Sequence, residues 1–198
     1  MGATVAKWAD SVPDGFKFTF KLWRDITHQK NLVFNPSDVE RFMQVINHCG
    51  QHKGCLLMQF PPGLHSSNID SLQNLLSVIR DADPDAEWKT AIEFRHASWY
   101  TGNVFELLDQ YKATLVIHDM PASIAPLNPI SDDFVYLRFH GPEGRYSGSY
   151  QDDFLAEYAT YVTEWLTEGK AVYVYFNNTM GDALKNLVTL NKLIKQTD

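Results

Sequence analysis

Six short apolar segments alternate with segments of helical periodicity, and this alternation limits the folds open to the chain more than any other feature. The strand-like segments cover residues 16–22, 55–60, 89–94, 113–119, 134–140 and 171–176. Strand–helix alternation predicts a mainly parallel sheet covered by helices, so we expect an α/β protein. An open doubly wound sheet and part of a (β/α)8 barrel both fit, although a whole barrel typically needs ~250 residues and this chain has 198.

Helical segments are recognised by apolar residues three and four positions apart, which lie on one face of a helix. Asn35-Pro36 is a typical helix start, and Ser67 or Asn68 can cap the next helix. Residues 23–28 are predicted to form a polar loop, and so are the proline-containing residues 120–133. The predicted buried stripes are Val39, Phe42, Met43 and Ile46; Leu72, Leu75, Leu76 and Ile79; Val104, Leu107, Leu108 and Tyr111; Leu155, Tyr158, Val162, Trp165 and Leu166; and Leu184, Leu187, Val188 and Ile194.

Composition narrows the class of protein. The formal net charge of -7 disfavours broad coating of nucleic acid or of an anionic membrane. No apolar run approaches the ~20 residues of a membrane span, and the N-terminus has no signal-peptide pattern. Cys49 and Cys55 form neither a disulfide framework nor a CxxC zinc motif, so we expect a reducing, cytoplasmic setting.

One segment, residues 89–100, carries an unusual polar pattern. Side chains alternate between the two faces of a strand, so Glu93 and Arg95 share a face, and His96 and Trp99 follow. Charged residues are rarely buried unless they are paired. The segment therefore holds either an ion pair at a sheet edge or part of a polar site.

The remaining strands favour the polar site, because a polar residue stands at the end of each. Ligands of open α/β sheets and of barrels bind outside the carboxyl ends of the strands. We therefore expect one shared site there. The strand-end residues are Lys21, Gln59, Glu93, Arg95, His118, Asp119, Arg138, His140 and Asn177.

Cations outnumber carboxylates among these residues and their neighbours, which predicts an anionic ligand of phosphate, carboxylate or sugar type. Arginine offers two parallel donors to such groups. The predicted catalytic residues are Glu93 as proton acceptor, His140 as a second acid or base, and Asp119, with a hydrolase or an isomerase as the reaction class. The cations are Lys21, Arg24, Arg95, Arg138 and Arg145.

Other interpretations of the same residues stay open. A lone histidine such as His118 is more often a satisfied interior histidine than a ligand. Asn177 could merely cap the last helix, and Trp99 divides evenly between rim and core. A divalent metal with ligands from His28, His118, His140, Glu93 and Asp119 has no diagnostic spacing behind it, so no cofactor or metal site is predicted. A nucleic-acid-binding module is the rival function, with Trp23, Trp99, Tyr146 and Tyr150 as stacking groups.

Several short motifs, in order along nearly the whole chain, resemble the YecE-like family, the domain of unknown function 72. They lie at residues 16–21, 26–28, 57–62, 92–99, 137–150 and 174–178. The resemblance implies a TIM-barrel-like fold whose motif residues gather at the carboxyl mouth, and it implies no particular reaction. The ligand-binding residues expected on this basis are Lys21, His28, Gln59, Arg95, His96, Trp99, Arg138, Tyr146 and Asn177.

The sequence departs from the family pattern at its start. Family members begin with a strand carrying a Gly-Thr-Ser-Gly-Trp-like motif, a helix and a second strand, and this sequence contains none of them. We therefore expect a single domain over residues 1–198 that is an incomplete TIM-barrel-like fold, a fragment or the product of a late start codon, with six βα strands visible and the first two missing. Open strand edges favour self-association, so a homo-oligomer that covers them is expected.

Overall fold

The computed structural model describes residues 1–127 and 131–195. It divides into two compact units, Met1–Ala113 and Thr114–Asp198, which are described separately below. A single domain over residues 1–198 stays a prediction. Residues 128–130, which include Pro129 of the predicted loop, lie outside the described residues, as do residues 196–198.

The first unit contains three parallel strands in chain order. They are β1 (Phe18–Lys21), β2 (Lys53–Gln59) and β3 (Lys89–Glu93), and β2 pairs with both of the others. β2 is buried over its five central residues, as predicted for a strand of a parallel sheet. The helices are α1 (Gly2–Ala9), α2 (Arg24–Thr27), α3 (Pro36–Ile46), α4 (Ile69–Ala82) and α5 (Gly102–Gln110).

Local sequence signals account for the helices of this unit. The Asn35 side chain accepts a hydrogen bond from the Ser37 amide at 3.2 Å, and Pro36 occupies the first turn of α3. The predicted apolar stripes of α3 and α4 are buried in full. The predicted loop at residues 23–28 was wrong: it contains α2, because Ile26 and Thr27 turn into the interior.

The second unit also contains three parallel strands in chain order. They are β4 (Thr114–His118), β5 (Phe134–Phe139) and β6 (Ala171–Phe176). Helix α6 (Asp152–Thr167) lies between β5 and β6, and α7 (Ala183–Ile194) follows β6. Parallel strands separated by helices in both units confirm the α/β class. The core of this unit includes Leu137, Phe139, Tyr150, Leu155, Val162 and Trp165.

The last helix forms as predicted and its Ile194 packs against the core, but the predicted burial of Leu184, Leu187 and Val188 was wrong. Leu184 and Val188 are 75% and 60% exposed, whereas Asn186 and Leu190 face the interior. The reason is that the Asn186 amide bonds to backbone groups of Tyr150, and this orients α7 with an apolar stripe outwards. Leu166, at the end of the α6 stripe, is likewise exposed.

No helix in residues 1–127 or 131–195 is both long enough and apolar enough to cross a membrane. Cys49 and Cys55 are both buried free thiols.

Candidate functional site

Three polar side chains lie on one face of the first unit, at the carboxyl ends of its strands. Gln59 pairs in register with Glu93, and Lys21 pairs with Leu57, two positions before Gln59. In-register residues of parallel strands point to the same face, and so do residues two apart. The Lys21 ammonium donates to Gln59 Oε1 at 2.8 Å, which joins the first two strand ends directly.

Glu93 and Arg95 form an ion pair, which is one of the two interpretations that the sequence left open for this segment. Nε and one terminal nitrogen of Arg95 both approach Glu93 Oε1. The Glu93 side chain is fully buried and the Arg95 side chain is 9% exposed. A buried carboxylate needs such a partner, because an unpaired charge would be very costly to remove from water.

Tyr100 belongs to the same surroundings, although sequence reasoning did not select it. Its hydroxyl donates to the Phe94 carbonyl at 3.3 Å. Burial, followed by the negative charge of Glu93, raises the pKa of Tyr100 well above its ordinary value. Its place one residue after Trp99, within the polar segment 89–100, was the only available signal.

Positive charge gathers around His28, at the end of α2. Burial first, then the charges of Arg24 and Lys21, lower the pKa of His28. His28 Nδ1 lies 2.8 Å from the Thr27 hydroxyl. Two cations therefore lie close enough to His28 to disfavour a third positive charge there.

His96 and Trp99 have packing roles in the structure. Trp99 is fully buried, stacks on Phe94 with ring centroids 4.5 Å apart, and donates from Nε1 to the Leu64 carbonyl at 2.8 Å. This places it in the core, one of the two positions that the sequence left open. His96 is half-buried and stacks on His65 with centroids 3.9 Å apart.

In the second unit, Asp119 is the centre of a hydrogen-bonded cluster. Its Oδ1 accepts from the His140 backbone amide at 2.8 Å and lies 3.3 Å from His140 Nδ1. Its Oδ2 accepts from the Tyr150 hydroxyl, and that hydroxyl accepts from the Gly141 amide at 2.6 Å. Burial and Asp119 together raise the pKa of Tyr150, so the phenol keeps its proton.

His118 and Arg138 stand side by side at the carboxyl ends of β4 and β5. His118 Nδ1 accepts from the Met120 amide at 3.2 Å, and its ring meets the His140 ring at 88° with centroids 5.8 Å apart. Tyr146 covers another side of the fully buried His140 ring, with centroids 5.6 Å apart.

Asn177 and Asn178 follow β6; Asn177 bonds to the end of β5, and Asn178 bonds to the loop before α6. The Asn177 amide donates to the Phe139 carbonyl at 2.7 Å. Asn178 is fully buried and donates to the Gly148 carbonyl at 2.9 Å and to Asn186 Oδ1 at 3.0 Å. Strand-end reasoning missed Asn186, since it lies within a helix, and it named Tyr150 only as a stacking group.

The predicted site residues therefore group within each unit. The structure brings Lys21 to Gln59 and Arg95 to Glu93 in the first unit, and His140 to Asp119 in the second. One basin shared by all of the strand ends stays a prediction. Among residues 1–127 and 131–195, no three His, Cys, Asp or Glu side chains are grouped so as to hold a metal ion.

Parallel strands alternating with helices, with polar side chains at the carboxyl strand ends, define an α/β protein. The model of the family "Protein of unknown function DUF72" matches residues 2–198, so the chain belongs to the DUF72 family. This confirms the family prediction. The UPF0759 protein YunF of Bacillus subtilis (strain 168) is 27% identical over 213 aligned positions, which cover 91% of this chain and 73% of that protein.

Two solved structures of DUF72 family proteins confirm the fold. The protein from Enterococcus faecalis V583 matches with a TM-score of 0.83 and 22% identity, over 98% of this chain and 80% of its own. The protein from Thermotoga maritima MSB8 matches with a TM-score of 0.76 and 25% identity, over 98% of this chain and 79% of its own. The fold is α/β and is that of an incomplete TIM-barrel-like protein.

Proposed function

We propose that this chain binds a small anionic ligand, of phosphate or sugar-phosphate type, at the carboxyl strand ends of the first unit. The observation that carries the proposal is the Lys21 ammonium at the end of β1, which donates to Gln59 Oε1 at 2.8 Å. In addition, burial and then the charges of Arg24 and Lys21 lower the pKa of His28. Glu93 does not cancel this field, because Arg95 pairs with its carboxylate. An acidic protein thus has a local cationic region where α/β proteins bind ligands.

Each residue of this region has a role that its chemistry suits. Lys21 and Arg24 supply charge, and an arginine can in addition hold two ligand oxygens at once. Gln59 holds the Lys21 ammonium in place, because its Oε1 accepts from that ammonium at 2.8 Å. Gln59 is itself held by its Nε2, which donates to the Phe60 carbonyl at 2.8 Å. His28 is half-buried beside them and gains a proton more easily once an anion offsets the two cations.

A hydrolase or an isomerase is the proposed enzyme class, with Glu93 as proton acceptor. Its support is the position of Glu93, a fully buried carboxylate on the same strand-end face as Lys21 and Gln59. The pair with Arg95 favours the ionised carboxylate, the form that accepts a proton. Likeness to barrel enzymes adds no argument, since this fold serves many chemistries.

The structure gives less support to the rival, a nucleic-acid-binding module. Trp99 is fully buried and Tyr150 is 5% exposed, so neither ring offers a face to a base. Trp23 already packs against Phe42 and lies under the Arg41 guanidinium, 5.3 Å from its ring centroid. Only Tyr146, at 38% exposed, keeps much of its ring at the surface among the four predicted stacking groups.

Calorimetry of the full chain with inorganic phosphate and with a sugar phosphate tests the proposal. Loss of one cationic contact from Lys21→Met or Arg24→Met is expected to weaken binding about ten-fold. Lys30→Met removes an exposed lysine two residues beyond His28 and is expected to leave binding unchanged. Equal affinity in all three variants would contradict the proposal, and tight, steeply salt-dependent binding of oligonucleotides would favour the rival.

A further inference from the structure

Helices α6 and α7 of the second unit pack side by side and carry opposite charges on their exposed surfaces. The charged residues of α6 are all acids, and all are exposed: Asp152, Asp153, Glu157 and Glu164. The charged residues of α7 and its C-terminal cap are all lysines, and all are exposed: Lys185, Lys192 and Lys195. None of these lysines forms an ion pair with another residue of 1–127 or 131–195.

An apolar stripe runs along the exposed side of α7, beside the lysines. Leu184 lies three residues before Leu187 and four before Val188, so the three side chains share one helix face, and all are exposed. The stripe leads into an open cleft of about 410 Å³, lined by Val188, Asn191, Lys192 and Lys195. Exposed apolar surface bordered by charge is typical of a surface that another molecule covers.

The two helices run in the same direction and begin at the same height. Helix α6 joins the parallel strands β5 and β6, and α7 follows β6, so each helix begins beyond a carboxyl strand end. Asn186, in the first turn of α7, bonds to the backbone of Tyr150, two residues before α6. Lys192 and Glu157 lie six and seven residues beyond these two positions, and therefore at similar heights on neighbouring helices.

We infer that the outer surface of α6 and α7 binds a second copy of this chain, related to the first by a two-fold axis parallel to the two helices. Such an axis keeps each residue at its height and exchanges the two sides, so the basic helix of one copy meets the acidic helix of the other. Both contacts form together, because each copy contributes one helix of each charge. The apolar stripes of the two α7 helices then meet near the axis and leave water.

Charge complementarity favours a second copy over other occupants of this surface. An anionic lipid surface would attract the lysines of α7, but it would repel the acids of α6 beside them. A second copy instead matches the charge of both helices. The surface is distinct from the open strand edges at which the sequence predicted self-association, and it does not depend on the anion binding proposed for the first unit.

Sedimentation velocity of the full chain, at concentrations from about 1 µM to about 300 µM, tests the inference. A surface of two helices is small for a stable interface, so we expect a dimer with a Kd on the order of 10 µM. At about 1 µM the chain should then be a monomer, and unfolding measured there reports on a single copy. A chain that stays monomeric over the whole range would overturn the inference.

A charge exchange between two variants identifies the surface. One variant is Lys192→Glu, Lys195→Glu, and the other is Glu157→Lys, Glu164→Lys. In a dimer of either variant alone, like charges meet at both contacts, so dimerisation should weaken at least about ten-fold. In an equimolar mixture the reversed helices pair with each other, and the unaltered helices do the same.

The mixture should therefore dimerise as the unaltered chain does, which a misfolded variant could not do. A mixture that stays monomeric, or a variant that still dimerises alone with unchanged affinity, would overturn the pairing of α6 with α7. Binding of the monomeric chain to phosphatidylglycerol vesicles, lost in the lysine variant, would give this surface to a lipid membrane and would also overturn the inference.

The apolar stripe is tested by a matched pair of valine variants. Val188→Ser should weaken dimerisation about five-fold or more, because each copy loses apolar surface at the contact. Val33→Ser changes another exposed valine, in the first unit, and should leave dimerisation unchanged. Equal dimerisation of the two variants would exclude the stripe from the contact. These measurements need no ligand, so their failure would leave the phosphate titrations unaffected.

Discussion

The side-chain amide of Asn186 pairs with both backbone polar groups of Tyr150. Asn186 Oδ1 accepts from the Tyr150 amide, and Asn186 Nδ2 donates to the Tyr150 carbonyl, each at 3.3 Å. Asn178 donates to the same Oδ1 at 3.0 Å. This pairing ties α7 to the segment that carries Tyr150, and it explains why a polar residue occupies the buried face of a helix.

Asn186→Ala is expected to lower the free energy of unfolding by about 2–3 kcal/mol, because it leaves buried backbone groups of Tyr150 without partners. Asn191→Ala, on the exposed side of the same helix, should change it by less than about 0.5 kcal/mol. Urea unfolding of the two variants measures the difference. Equal stability would mean that the amide pairing is dispensable.

Gly141→Ala should also destabilise the second unit. Gly141 has φ +98°, and a Cβ there would overlap the carbonyl oxygen of Ser147. Strain of this kind costs on the order of 1–3 kcal/mol. Gly102→Ala is the control, because it lies in the first turn of α5 with no atom within 4 Å of a built Cβ. Thermal unfolding should show a lower midpoint for Gly141→Ala and an unchanged midpoint for Gly102→Ala.

The orientation of α7 leads to a third pair of variants. Leu190 is 1% exposed, so Leu190→Ala should cost about 2–5 kcal/mol. Leu184 is 75% exposed, and Leu184→Ala should cost less than about 0.5 kcal/mol. Guanidinium unfolding curves compare them. The opposite order would restore the orientation that apolar periodicity predicts for this helix.

Sequence periodicity was sufficient where the buried face of an element is wholly apolar. The stripes of α3 and α4 were predicted residue by residue, since the buried residues of both helices are all apolar. It failed at α7, where the hydrogen bonds of Asn186 decide which face turns inwards. The pattern of apolar residues does not reveal that a side-chain amide in this helix bonds to a backbone segment far away in the sequence.

The candidate site divides in the same way. Strand parity was enough to pair Glu93 with Arg95, because both lie in one continuous segment. It could not identify the contact between Tyr150 and Asp119, 31 positions apart, because this depends on the path of a loop. It also left the rim and the core equally open for Trp99, which is buried. Burial at the end of a strand depends on which other segments pack over it.

The pKa of His28 gives a pH-dependent prediction. Burial, Arg24 and Lys21 lower this pKa, so the unfolded chain binds the proton more readily than the folded chain. The stability linked to His28 is therefore present above the ordinary histidine pKa of about 6.5 and is lost as the pH falls through the lower folded value. Lys21→Met should raise the pKa of His28 and reduce this loss, whereas Lys30→Met should change neither, as an NMR titration of the ring protons would show.

The most direct test of anion binding in the first unit is the NMR titration of His28 with and without inorganic phosphate, at equal ionic strength. A phosphate held by Lys21 and Arg24 offsets the charges that lower the pKa of His28, so this pKa is predicted to rise when phosphate replaces chloride. The rise should be absent in the Lys21→Met, Arg24→Met double variant. A His28 titration that phosphate leaves unchanged in the unaltered chain would contradict the proposed anion site.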